Sequence, residues 1–162
     1  MIILKPFQEK AVSKLKDNFL MLWKSETRGA NLILKAPTGS GKTTMIAQFL
    51  RDLTGEPRFT NADVAFVWIT KGQLAQQSKD KLFSYYDGAS ENKLLDMNDL
   101  RDGLLPRNAV FFINWEKLVS KSAENRKLRT DGDTTISFDT YMDATHAKGR
   151  EIVLIIDEEH LS

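Results

Sequence analysis

At 162 residues, with 41% apolar and 9% aromatic side chains, the chain fits one compact domain and lies outside disordered composition. Lys and Arg number 23 against 22 Asp and Glu, a formal charge of +1 that excludes a bulk positive field, so any nucleic-acid contact must come from a local surface. The lack of cysteine excludes disulfides, thiolate metal sites and cysteine nucleophiles together.

The opening "MIILKPFQEK" is charged too early for a secretory segment, and apolar runs elsewhere stop below the roughly 18 residues of a membrane span. A cytoplasmic protein with no membrane partner is expected. Over residues 5–23, Phe7, Val12, Leu15, Phe19, Leu20 and Trp23 recur at helical spacing after Pro6, with Lys10, Lys14 and Lys16 between them, which predicts an amphipathic helix. The apolar run "NLILK" (31–35) reads as a strand. It ends at a glycine turn and leads into a helix over 42–53 that Gly55 and Pro57 stop.

Beyond it, "DVAFVWIT" (63–70) predicts a strand and "GQLAQQSKDKLFSYY" a helix. "AVFFIN" (109–114) leads into "WEKLVSK", and "EIVLII" (151–156) leads into "DEEH". Near-continuous apolar strands alternating with helices are what a parallel sheet buried on both faces requires, so the expected fold is a doubly wound α/β domain. Residues 87–108 leave a short strand or a helix open around 94–97. Residues 120–150 are polar, with "TDGD" as a turn and a short helix over 138–144. The loose basic run Lys117, Lys121, Arg126, Lys127 and Arg129 reads as a solvated face.

The glycine turn "APTGSGKT" matches the phosphate-loop pattern G-x-x-x-x-G-K-[ST] except that Ala36 replaces the first glycine. Gly39 and Gly41 permit backbone conformations that turn successive amides inward as a nest for phosphate oxygens, and the helix starting near Lys42 adds its positive end. Lys42 is expected to reach the β- and γ-phosphates and the Thr43 hydroxyl to complete a magnesium shell. The turn as a whole, Pro37, Thr38, Gly39, Ser40, Gly41, Lys42, Thr43 and Thr44, is expected to hold a nucleoside triphosphate with Mg²⁺. Without a ligand the same residues would be a plain strand-to-helix connection.

Hydrolysis needs a second set of groups at a strand end. In "IVLIIDEEH" five apolar residues bring a strand to its carboxyl end, where ligands collect in open α/β sheets. Asp157 is expected to hold Mg²⁺, and Glu158 to orient and polarise the attacking water. His160 reads either as a capping histidine or as a relay of nucleotide state.

With these residues in place the chain resembles superfamily 2 helicases and translocases, and within them the restriction subunits of type III restriction-modification enzymes. "KPFQEKAV", "APTGSGKT", "VWITKGQLAQQ", "VFFINWEKL" and "LIIDEEH" carry the resemblance over residues 4–160, and in that superfamily alanine often opens the loop. The resemblance implies a P-loop NTPase with a RecA-like parallel sheet flanked by helices. Residues 1–162 would form a single ATP-binding lobe, the incomplete first lobe of a motor. It implies that Gln8 reads the adenine edge of ATP, where the residue alone would read as an exposed helix position. It also implies that Thr70, Lys71 and Gln73, with Asn114 and Trp115 on the same edge, meet a nucleic-acid backbone. Lys71 otherwise reads as a solvated loop residue and Trp115 as core.

In this family ATP binds between two lobes and the second supplies an arginine finger. The coupling motif, the second lobe and any nuclease domain are not among these residues, so the 162 residues alone are expected to bind ATP weakly and hydrolyse it slowly. Double-stranded DNA, through the full-length protein, and a modification (methyltransferase) subunit are the implied partners. The competing readings are a P-loop small-molecule phosphotransferase and a non-catalytic nucleotide-binding module. Two strand candidates between the loop and the acidic strand, and the adjacent Asp-Glu pair, weigh against the first.

Overall fold

A computed structural model of the chain describes residues 3–25, 32, 34, 41–72, 74–88, 92–100, 103–119, 127–131 and 134–157. They fall in two compact units, one comprising Met1–Ala62 with Leu82–Glu91 and the other Asp63–Lys81 with Asn92–Ser162. No helix among the described residues is long and apolar enough to cross a membrane.

In the first unit, α1 (Pro6–Lys24) begins as its sequence predicts. Pro6 brings a helical φ and no N–H to be orphaned. The Gln8 side-chain oxygen accepts the Lys5 N–H at 2.9 Å, half of a capping box. Helix α2 (Lys42–Thr54) ends at Gly55, with Leu50 and Leu53 fully buried. The core joining the two helices is aromatic. Phe19 stacks on Trp23 at 5.9 Å and meets Phe49 and Phe59 edge-on, each at 5.7 Å, geometries that suit the ring quadrupole. At the edge of this core the Tyr86 hydroxyl donates to the Ala47 carbonyl at 2.8 Å, and burial pushes its pKa well up. The strand expected over 31–35 lies, except for Leu32 and Leu34, outside the described residues.

The second unit holds a parallel sheet of β2 (Leu94–Leu95), β3 (Val110–Asn114), β1 (Val64–Thr70) and β6 (Glu151–Ile156), in that spatial order. All seven residues of β1 are buried, which is why its sequence is a continuous apolar run rather than an alternating one. Ala65, Val67 and Ile69 join Phe111, Ile113, Leu95, Leu100, Leu105 and Tyr141 in one core. On the opposite side of the strands Trp68 packs on Phe112 at 5.4 Å.

Helix α3 (Ala75–Tyr86) follows β1, and α4 (Trp115–Val119) follows β3 without a break. The stretch 94–97, open between strand and helix in the sequence, contains both: β2, then a 3₁₀ turn Met97–Asp99 capped by the Asp96 carboxylate. The polar stretch holds an antiparallel pair, β4 (Lys127–Asp131) and β5 (Thr134–Ser137), and then α5 (Phe138–Ala147), longer than its expected span.

Buried polar contacts fix the rest. The Thr145 hydroxyl accepts the Leu105 N–H at 2.9 Å and donates to the Tyr141 carbonyl. Arg150 donates to the Leu105 carbonyl and pairs with Asp63, each at 2.6 Å. Lys79 of α3 bonds both Asp96, at 2.9 Å, and Asp99.

Burial pushes the Asp99 carboxyl up, but the hydrogen bonds from Lys79 and from the Asp96 N–H, with the Lys79 charge, outweigh it and hold the group below its ordinary 3.8. A carboxyl with a depressed folded pKa adds stability above its unfolded value and loses it as pH falls through the folded one. Thermal unfolding followed by circular dichroism should therefore show the melting temperature falling between about pH 5 and pH 3. Lys79→Met should lower it at neutral pH and flatten that acid limb. An acid limb as steep in the variant as in the wild type would remove Lys79 as its cause.

Candidate functional site

Gly41 is the N-cap of α2, at φ 84° and ψ 38°, a left-handed conformation that favours glycine. A Cβ there would lie 2.6 Å from Gln8 Nε2, so the backbone shape demands glycine and any other residue would also have to displace the end of the Gln8 side chain. Gln8 is 8% exposed, not the open helix position its sequence alone suggests. Its oxygen holds the amino end of α1 through Lys5 while its nitrogen lies over Gly41.

Lys42, Thr43 and Thr44 form the half-buried first turn of α2, a 13-residue helix with no acidic residue in that turn. The positive helix end is thus not neutralised by its own side chains. Pro37, Thr38, Gly39 and Ser40 lie outside the described residues.

In the second unit, parallel register brings three strand ends to one edge. Thr70 of β1 pairs with Asn114 of β3, Ile69 pairs with Ile156 of β6, and the Asp157 N–H donates to the Ile69 carbonyl at 3.0 Å. Asp157, half-buried, therefore stands at the edge that carries Thr70 and Asn114. Glu158, Glu159 and His160 lie outside the described residues.

The nucleic-acid candidates divide. The Thr70 hydroxyl donates to Asn114 Oδ1 at 3.3 Å, and the same oxygen accepts the Ala75 N–H at 3.0 Å, capping the start of α3. Lys71 is exposed; Trp115 is half-buried against the core and Gln73 lies outside the described residues. Sequence reasoning missed Glu116, whose carboxylate accepts the Gly72 N–H at 3.0 Å. The only local signal was an acid two positions after the end of a strand, and the amide it finds is 44 residues away.

Each unit, taken by itself, carries donors of a kind that suits the expected guests. The Thr43 hydroxyl and the Asp157 carboxylate are hard oxygen ligands of the kind magnesium takes, and the Lys42 ammonium is a point charge matched to phosphate. A family model described as type III restriction enzyme, res subunit, matches residues 1–162. Neither a curated protein nor a solved structure matches the chain.

The fit between Gly41 and Gln8 can be measured by a double-mutant cycle. Gly41→Ala should destabilise by about 1–2 kcal/mol from the left-handed backbone alone, and by more from the collision with Gln8. Gln8→Ala in the same chain should recover the collision part. Strictly additive denaturation energies for the two changes would show that the side chains do not meet.

Proposed function

Because the chain belongs to the family of type III restriction enzyme res subunits, which are helicase-like ATPases, we propose that it is the ATP-binding and hydrolysing lobe of a DNA translocase or helicase in a restriction or related defence enzyme. The observation that carries this reading is the start of α2. A left-handed glycine directly precedes Lys42 and Thr43 at a helix end whose first turn carries no acid, a local arrangement that suits a phosphate-binding loop.

In this reading Lys42 neutralises the β- and γ-phosphates of ATP, and Thr43 with Asp157 holds Mg²⁺. The ion, when bound, offsets charge on the phosphate oxygens. Glu158 orients a water for in-line attack on the γ-phosphorus and takes its proton as the bond to the leaving ADP oxygen breaks.

Gln8 reads the adenine edge. An amide side chain offers both an acceptor and donors, the pairing an adenine edge requires. Thr70 and Lys71, with Gln73, Asn114 and Trp115, form the edge that takes the backbone of double-stranded DNA, and a methyltransferase subunit is the protein partner. A small-molecule phosphotransferase is disfavoured by the three parallel strands β1, β2 and β3 between α2 and the Asp157 strand in the chain.

In the protein carrying this lobe, Lys42→Ala should abolish ATP binding measured by calorimetry. Glu158→Gln should bind ATP as before while phosphate release falls by about 10² or more. Normal ATP affinity in the first variant would refute the phosphate-loop assignment. Undiminished turnover in the second would refute the base and leave the loop standing.

A further inference from the structure

The Gly72 amide lies in the exposed turn between β1 and α3. Gly72 has φ +67°, and nothing lies within 4 Å of where a side chain would begin. Water could satisfy such an amide. Instead the chain holds a carboxylate on it, the exposed Glu116 side chain, from the first turn of α4.

The neighbouring contact is neutral: Asn114 Oδ1 bonds the Thr70 hydroxyl and the Ala75 N–H. The 70–75 turn is therefore tied at two points to the β3–α4 junction, once by an amide oxygen and once by an anion. Fixing the turn needs only acceptors, and the amide oxygen supplies one without charge. The charge at position 116 suits the positive end of the short α4, but the bond to Gly72 itself does not need it.

We propose that the Gly72 N–H and the Lys71 ammonium form a seat for a DNA backbone phosphate, which the Glu116 carboxylate occupies in the free protein and must yield when DNA binds. A carboxylate and a phosphate accept the same kind of charge-assisted bond from a backbone amide, so they compete for the one donor. The carboxylate also repels the phosphates on either side of the one it replaces. Glu116 thereby weakens DNA binding at this edge, most at low ionic strength, and makes it less dependent on salt. The proposal rests on reading the Thr70–Lys71 edge as a DNA surface.

The test is fluorescence anisotropy of a labelled mixed-sequence duplex with the wild-type chain and with Glu116→Gln, Lys71→Ala and Asp143→Asn. Glutamine keeps an acceptor for Gly72 and removes the charge, so Glu116→Gln should tighten binding roughly two- to five-fold at low salt. The gain should fade at high salt, as screening of an exposed charge requires. Lys71→Ala should weaken binding and reduce the slope of log affinity against log salt by about 0.9.

Asp143, an exposed acid on α5, controls for net charge and should change little. Equal gain in Asp143→Asn, a gain that persists at high salt, or no gain in Glu116→Gln would each overturn the seat. Titrations run at low salt and at protein concentrations that bring the wild-type curve on scale, so that a gain of about two-fold is readable. Lys71→Ala binding as the wild type does would instead overturn the DNA edge itself.

Discussion

Parallel pairing of β1 with β3 and β6 is the constraint on which the rest of the second unit depends. Parallel strands all end at the same edge of a sheet, so residues that the chain separates by dozens of positions are delivered side by side without any contact between their side chains being needed first. Thr70, Asn114 and Asp157 meet in this way. Burial of β1 on both faces supplies the driving force and leaves polar chemistry only where the strands stop.

Polar contacts then divide between the two ends of the sheet. At the amino ends Asp63 and Arg150 pair, and the Glu151 N–H donates to the Asp63 carbonyl at 2.9 Å, setting the register of β1 against β6 from the far side. At the carboxyl ends the contacts are between side-chain acceptors and backbone amides: Asn114 with Ala75, Glu116 with Gly72. Register is thus held at the amino ends, while at the opposite edge backbone amides are met by side-chain acceptors.

Much of this was legible in the sequence, for reasons that also explain what was not. Strands buried on both faces write their burial as unbroken apolar runs, so β1 and β3 stand within a residue of their expected bounds; β6 does so too by its apolar run, although Leu154 and Ile156 on it are exposed. Helices α1 and α2 were marked by Pro6 and by Gly41 and Gly55, residues whose backbone demands are local. β2, at two residues, is too short to show any period. The β4–β5 pair is polar and draws its order from pairing, which composition does not encode. Contacts across long separations, 87 residues for Arg150 with Asp63 and 44 for Glu116 with Gly72, are invisible to any local pattern. Gln8 looked exposed because its neighbours are polar, and only the position of Gly41 shows what covers it.

That last contact joins two tasks in one place within the first unit. The Gln8 oxygen is fixed by the Lys5 N–H, so the orientation of its amide is set by the entry of α1, and its nitrogen then fixes how closely the Gly41 backbone can lie. A side chain at position 41 would have to displace the Gln8 amide nitrogen. In the ATPase reading, the group proposed to inspect the base therefore lies against the backbone proposed to receive the phosphates.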